Sequence, residues 1–189
     1  MAGSILGNRV PRTEDMHLLT DGGTYVYDLE LENVAYAYFV RSTAAHARIT
    51  EIDIDDARNA PGVVGVITAD ELGIGQINPG LQMVSDTFAR TPLATDTVRY
   101  VGDPIVVIVA ETFEQAVDAA ELVYIDYDYL TTIVDPEAAL DENTEPIFPA
   151  QGNNVAFTLA DPAEDVLADA THIVRGRYVN QRVAGAPLE

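Results

Sequence analysis

VRYVGDPIVVIVAETFEQAVDAAELVYIDYDYL, residues 98–130, is the part of the chain from which a fold is most directly predicted. Its apolar run at 105–110 is unbroken and rich in β-branched residues, which is typical of a strand buried on both faces. The run is far shorter than the roughly 20 apolar residues of a membrane-spanning helix. We therefore predict a buried strand here.

A helix and a second strand are predicted directly after this strand. Thr112, followed by Gln115 three residues later, has the pattern of a capping box. One apolar stripe at helical spacing follows, made of Phe113, Ala116, Val117 and Ala120. From Val123 to Tyr129, apolar or aromatic residues alternate with more polar ones, which is the period of a half-exposed strand. The stretch thus predicts strand, helix and strand in that order.

Further elements are predicted on both sides of this unit. Strands are predicted near residues 24–27, over 34–40 with 46–54 as its partner, over 63–67 and over 172–180. Short helices are predicted where a capping residue or proline starts a new segment: after Asp53, after Thr68 with Glu71, at Asp135-Pro136 and over 161–170. The predicted fold class is α/β, with an α+β mixed sheet and crossover helices.

Two stretches lack a regular pattern. Residues 74–96 contain Gly, Pro, Thr and scattered apolar residues without a sustained period. Loops of that length inside compact domains are uncommon and usually contact something, so we predict a partner or another domain there. Residues 141–154 are polar and contain Pro146 and Pro149, and we interpret them as a linker.

The composition restricts the classes of partner. The chain has 189 residues, with 31 Asp and Glu against 10 basic residues, all of them Arg, and a formal net charge of -21. A surface this acidic repels phosphate backbones and anionic lipid head groups, so we expect no nucleic-acid and no membrane partner. The charge also fits two origins, a source that lives at high salt or an ordinary acidic protein.

Cysteine is absent, which excludes a disulfide, a thiolate nucleophile and a cysteine-bound iron–sulfur cluster or zinc ion within these residues. The first residues have no charged region followed by an apolar one, and no stretch has the length of a membrane span. We therefore expect a cytoplasmic protein.

No residue is predicted to be catalytic, cofactor-binding or metal-binding. His17, His46 and His172 have no metal-binding spacing. The remaining candidates are more simply explained by capping, turns, solvated faces or packing. They are the acidic group Asp53, Asp55 and Asp56, the pair Asp126 and Asp128, the serines Ser4, Ser42 and Ser85, the glycines of 62–75, and the tyrosines Tyr124, Tyr127 and Tyr129.

Several segments, read in order, resemble the N-terminal region of the large, molybdenum-binding subunit of the xanthine dehydrogenase, aldehyde oxidase and carbon monoxide dehydrogenase family. The segments cover nearly the whole chain, and the resemblance rests on their number and fixed order. They are GNRVPRTED (7–15), GGTYVYD (22–28), FVRS (39–42), AHARI (45–49), APGVVGV (60–66), VRYVGDP (98–104), AAELV (119–123), VDPEAA (134–139) and NQRVAGAPLE (180–189).

The resemblance implies an α/β hammerhead domain at residues 21–140, preceded by an N-terminal arm at 1–20. A linker at 141–160 and the truncated start of the molybdopterin-binding region at 161–189 would follow. Members of the family oxidise small substrates at a molybdenum centre, and electrons pass to iron–sulfur and FAD centres on partner subunits or domains. The resemblance places the cofactor loops and the catalytic glutamate beyond these residues, so Glu189 is not assigned as the catalytic base.

Two hypotheses follow from this resemblance. In the first, the chain is the N-terminal portion of a molybdenum hydroxylase large subunit, with a structural and assembly role and no turnover by itself. Its partners would be the rest of the molybdenum subunit and the iron–sulfur and FAD subunits. In the second, it is a stand-alone scaffold or binding module from a split gene, which docks on a separate chain that carries the cofactor.

Overall fold

The computed structural model describes residues 7, 12–23, 25–29, 31–159, 167 and 169–180. The chain forms two compact units, one made of Met1–Asn33 and Asp165–Glu189, the other of Val34–Glu164. Within the described ranges, every strand belongs to the second unit, and no helix is long and apolar enough to cross a membrane.

The first unit contains helix α1, Asp15–Thr20, and a 3-10 helix, Val26–Asp28. The strand predicted near 24–27 is wrong at its described residues, because the Asp28 carboxylate accepts a 3.0 Å hydrogen bond from the Tyr25 backbone N–H and closes a helical turn. Residues 172–180 form no strand, and no strand of the described residues pairs with them. The helix predicted over 161–170 lies largely outside the described residues.

The second unit contains six strands and three α-helices among its described residues. In chain order these elements are β1 Tyr36–Arg41, β2 Ala47–Asp53, α2 Asp55–Arg58, β3 Val63–Thr68, α3 Ala69–Leu72, β4 Thr97–Val98, β5 Pro104–Ala110, α4 Phe113–Ala120 and β6 Tyr124–Tyr129. They confirm the α/β fold class and the predicted strand, helix and strand of residues 98–130.

The strands form two three-stranded sheets, with orders β1-β5-β3 and β4-β2-β6, and each pairing is antiparallel. The structure therefore differs from the predicted single mixed sheet. The predicted pairing of 34–40 with 46–54 is also wrong, because β1 pairs with β5 and β2 pairs with β6. Side-chain contacts explain why β2 pairs with β6 and β1 with β5. Across β2 and β6, Arg48 contacts Asp128 and Thr50 donates to Asp126. Strands β1 and β5 instead share apolar residues.

The core lies around the central strand β5, where Ile105, Val106 and Ile108 are fully buried, as the sequence predicts. Helix α4 packs against β1 and β5 through the buried Ala116 and Ala119. Small side chains at these positions allow the helix to lie close to the sheet. The buried face of α4 thus differs from the predicted apolar stripe, because Ala119 is buried more deeply than Val117, which belongs to that stripe.

Both predicted capping boxes are confirmed. The Thr112 side chain accepts from the Gln115 N–H at 3.2 Å, and the Gln115 side chain accepts from the Thr112 N–H at 3.0 Å. The second box joins Thr68 and Glu71, and Gly73 ends α3 in the left-handed conformation. The N-cap of α2 is Ile54 and not the predicted Asp53, whose carboxylate accepts from the Asp55 N–H at 3.0 Å from one position earlier.

The irregular segments are packed loops with short 3-10 helices. Residues 74–96 contain one isolated bridge between Ile77 and Arg90 and the 3-10 helix Asp86–Phe88. The short helix predicted at Asp135-Pro136 is a 3-10 helix at Ala138–Leu140. A further 3-10 helix, Pro149–Gln151, lies in the stretch interpreted as a linker, and this stretch belongs to the second compact unit.

Candidate functional site

A tight turn at Tyr100–Asp103 organises the most polar part of the second unit. The Asp103 N–H donates to the Tyr100 carbonyl at 3.2 Å, and Gly102 has a φ of +97°, a value that favours glycine. The buried Ser42 holds this turn: its N–H donates to the Asp103 carbonyl and its carbonyl accepts from the Gly102 N–H, each at 2.8 Å. The turn is thereby fixed to the end of β1.

Three arginines converge on this turn. Arg41 donates from Nη1 to the Gly102 carbonyl at 2.9 Å. Arg90 Nη1 lies 3.6 Å from Oδ1 of Asp103, a residue that is only 7% exposed, and the other carboxylate oxygen accepts from the Arg99 N–H at 3.0 Å. The Arg99 guanidinium donates to the carbonyls of Thr97 and Ile147 at 3.2 and 3.4 Å.

Aromatic rings support each of these guanidinium groups. The guanidinium carbons of Arg41, Arg90 and Arg99 lie 5.6, 5.2 and 4.7 Å from the ring centres of Phe39, Tyr100 and Phe148, respectively. A guanidinium over an aromatic face is attracted by the ring quadrupole and loses side-chain freedom. The positive charges are therefore held in place before any ligand or partner arrives.

A cleft of about 240 Å³ opens on one side of the turn. Its lining includes Arg90, Thr91, Thr95, Arg99, Asp103 and Phe148. The predicted loop 74–96 supplies one wall, and the stretch interpreted as a linker supplies another. Thr87 donates to the Gln151 side chain at 2.6 Å and Phe88 packs edge-on against Phe148, so these two walls hold each other.

The cleft can bind a small polar group through hydroxyl and guanidinium donors. It contains Asp103 and Asp96 as carboxylates, and the Asp103 carboxylate is engaged by Arg90 and by the Arg99 N–H. Within the lining, the Thr95 hydroxyl donates to the Asp96 carboxylate at 3.1 Å. Sequence reasoning missed this cluster, because Arg41, Arg90, Arg99 and Asp103 come together only through folding. The sequence contains no local signal for the cluster, since its members are separated by long stretches of chain.

The histidines occupy separate structural roles. His17 lies in α1, with Nδ1 at 3.1 Å from the Asp21 carboxylate, in the first unit. His46 lies in the second unit, with Nδ1 at 2.8 Å from the Thr131 carbonyl. His172 is exposed. In the described part of the chain, no group of three or more His, Asp or Glu residues is placed to hold a metal ion.

Several other residues weighed from the sequence have contacts within the second unit. Asp126 and Asp128 face Thr50 and Arg48 on the exposed side of the second sheet. Ser85 caps the 3-10 helix Asp86–Phe88. Ser4 and Glu189 lie outside the described residues, as do the segments around them.

Besides Asp141, whose pKa is lowered by hydrogen bonds from the backbone and side chain of Asn143, two titratable groups in the second unit have displaced pKa values. Burial raises the pKa of the Tyr127 phenol, and a hydrogen bond from the Ser42 side chain lowers it by a smaller amount. The Thr68 backbone N–H lowers the pKa of Glu71, and the neighbouring Arg58, which forms an ion pair with it, acts in the same direction. Both groups lie away from the cleft lining.

The family described as "Aldehyde oxidase and xanthine dehydrogenase, a/b hammerhead domain" matches residues 20–131. The chain belongs to this family. The match includes all six strands, α4 and the Tyr100–Asp103 turn. It confirms the resemblance stated from the sequence to the hammerhead region of molybdenum hydroxylase large subunits.

Two curated relatives illustrate the match of this hammerhead chain. It is 38% identical to the 6-hydroxypseudooxynicotine dehydrogenase complex subunit gamma of Paenarthrobacter nicotinovorans, over 97% of the chain and 24% of the relative. It is 33% identical to the xanthine dehydrogenase molybdenum-binding subunit of Escherichia coli O157:H7, over 72% of the chain and 19% of the relative. The chain thus spans about a quarter or less of the curated relatives that it matches.

A solved structure agrees in fold and sequence. Quinoline 2-oxidoreductase from Pseudomonas putida 86 superposes with a TM-score of 0.61 and 35% identity. The superposition covers 74% of this chain and 18% of that one. The hammerhead chain therefore corresponds to a limited region within a much larger enzyme chain.

The cleft formed by the described residues is not suited to hold a molybdenum cofactor. The cleft of about 240 Å³ is smaller than the roughly 300–1,000 Å³ of pockets that enclose drug-sized ligands. Its Arg90 and Arg99 guanidiniums are also engaged with Asp103 and with backbone carbonyls of the chain itself. No step of a reaction is therefore assigned to these residues.

Proposed function

We propose that this hammerhead chain is the N-terminal portion of a molybdenum hydroxylase large subunit. In the proposal it serves the structure and assembly of an oxidoreductase, and it does not turn over substrate by itself. The observation that carries the proposal is the hammerhead match over residues 20–131, supported by 38% identity to a dehydrogenase complex subunit over 97% of the chain.

The cofactors and partners of the proposal follow from the kind of protein that the chain resembles. The E. coli relative is named a molybdenum-binding subunit, and the P. nicotinovorans relative is named a subunit of a complex. We propose that molybdopterin-bound molybdenum is held by the rest of the subunit, and that iron–sulfur and FAD centres lie on partner chains. Cofactors of this kind supply the redox chemistry, and the protein supplies binding, orientation and electrostatics.

We propose a class of substrate only, namely small oxidisable molecules. The relatives are named for 6-hydroxypseudooxynicotine, xanthine and quinoline, and these names belong to those proteins. Function is determined by residues in a site and not by the fold, so the hammerhead region alone does not select among small oxidisable substrates. The proposed location is the cytoplasm, which fractionation of source cells would test.

The alternative remains a scaffold module from a split gene that docks on a separate chain carrying the cofactor. The short coverage of the relatives fits this hypothesis as well as the first. The two differ in the coding sequence after Glu189: continuation into a glycine-rich cofactor region favours the first hypothesis, and a stop codon favours the second.

Co-expression with the partner chains tests the proposed role in assembly. The chain is co-expressed with its native downstream region and the neighbouring iron–sulfur and FAD chains, and substrate-dependent dye reduction is measured after size-exclusion chromatography. We expect activity only in the assembled species, and no assembled species when residues 20–131 are deleted. A fully active, normally assembled enzyme without these residues would contradict the proposal.

A further inference from the structure

We propose that the surface around the Tyr100–Asp103 turn is a docking site for a partner subunit, and that it receives a segment with carboxylates next to apolar side chains. We call this surface the arginine turn, and it consists of Phe39, Arg41, Arg90, Tyr100 and Val101. The inference rests on the proposed function, because the partner subunit is a chain of the assembled enzyme.

Positive charge is unevenly paired among the arginines of the second unit. The second unit contains five arginines, Arg41, Arg48, Arg58, Arg90 and Arg99. Arg48 and Arg58 each form an ion pair with an exposed carboxylate, Asp128 and Glu71. Arg41 has no carboxylate partner among the described residues, and Arg90 has only the long 3.6 Å contact with Asp103. In a chain with a net charge of -21, this turn thus presents positive charge that has no close carboxylate partner among the described residues.

The arginines of this surface are also pre-organised. Arg41 and Arg90 are anchored to the consecutive residues Gly102 and Asp103, and each lies over an aromatic ring. The turn itself is fixed to Ser42 by two backbone hydrogen bonds. Ordering a long side chain on association costs roughly 0.5–1.5 kcal/mol. Arginines that are already ordered avoid much of this cost when they meet a carboxylate.

The arginine turn also exposes apolar surface next to its positive charges. Phe39, Tyr100 and Val101 are 41%, 42% and 65% exposed. Arginine and aromatic residues are enriched in protein–protein interfaces and in their energetic hot spots. Carboxylates with apolar neighbours complement both parts of the surface. A polyanion such as nucleic acid fits poorly, because the net charge of the chain repels it at longer range.

The test uses the complete enzyme with its partner subunits and measures the dissociation constant of the complex on dilution. Val101→Glu places a carboxylate in the arginine turn, and Val64→Glu is the matched control, because Val64 on β3 is equally exposed at 66%. Arg41→Gln/Arg90→Gln removes the charges, and Arg48→Gln/Arg58→Gln is its control. Melting of each variant verifies folding.

We expect each arginine-turn variant to weaken the complex by about tenfold or more, and each control by less than about threefold. A complex unchanged by both arginine-turn variants would overturn the inference and leave the proposed function intact. Equal weakening by test and control variants would also overturn it. So would a complex that dissociates more in inorganic phosphate than in chloride of the same ionic strength. A wild-type enzyme that never assembles would contradict both the inference and the proposed function.

Discussion

Phe88 packs edge-on against Phe148, with ring centres 4.9 Å apart, and this contact joins two irregular segments that are far apart in sequence. The Phe148 ring also supports the Arg99 guanidinium at 4.7 Å. One aromatic side chain thus connects the loop 74–96 to the strand region that carries the arginine turn.

Phe148→Ala should destabilise the second unit by about 1–3 kcal/mol, because the substitution removes an aromatic pair, a cation–π contact and part of the buried apolar area. Urea unfolding measures the loss. Phe157→Ala is the control, since Phe157 is 43% exposed and belongs to no aromatic pair among the described residues. An equal cost for both variants would show that the two loops do not depend on this contact.

Much of the fold was predictable from local sequence. The buried strand β5, helix α4 with its Thr112–Gln115 cap, and the alternating strand β6 each have a pattern that sterics and burial impose on neighbouring residues. These elements were predicted in the right order and at nearly the right residues.

Pairing and the candidate site were not predictable in the same way. Which strand lies next to β5 depends on contacts between distant residues, such as Arg48 with Asp128, and local periodicity contains no information about them. The same applies to Arg41, Arg90 and Asp103, whose sequence separations hide their common turn. The family was predicted from the resemblance, whereas the arginine turn is seen only in the structure.

Gly62 and Gln115 give a second prediction. Gly62 has a φ of +76°, and a Cβ built on it would lie 2.2 Å from the Gln115 side chain that caps α4. Gly62→Ala should therefore cost about 2–3 kcal/mol, from backbone strain and from displacement of the cap. In a double-mutant cycle with Gln115→Ala, the two costs should be clearly less than additive. Strict additivity would mean that the cap tolerates the added methyl group.

Stability should depend on the protonation of Glu71 at acidic pH. The pKa of this carboxyl is lowered from its ordinary value of 4.5 by the Thr68 N–H and by Arg58. Because the unfolded chain then binds a proton more readily, the stabilisation is complete above the ordinary pKa and is lost as pH falls through the lower folded pKa.

The corresponding experiment compares melting temperatures of wild type and Glu71→Gln. The difference should be constant near neutral pH and shrink below about pH 4. Glu121→Gln, at the exposed end of α4, controls for the loss of one charge. A difference that stays unchanged to pH 3 would show that the ionised form of Glu71 is not the stabilising one.

The high charge leads to a prediction about salt. If the net charge of -21 opposes compactness, the melting temperature should rise by more than about 5 °C from dilute buffer to molar potassium chloride, because salt screens the repulsion. The variant Glu142→Gln/Glu145→Gln, which removes two charges from an acidic segment, should show a smaller rise. Equal melting temperatures in dilute buffer and molar salt would contradict the high-salt origin.

The most direct test of the proposed assembly role is the molybdenum content of the chain, measured by elemental analysis. The chain is purified alone, and again after co-expression with its native downstream region and partner subunits. The account predicts metal only in the co-expressed preparation, at one atom for each large subunit. Stoichiometric molybdenum on the chain purified alone would contradict it, because the cofactor would then be held by residues to which no such role is assigned.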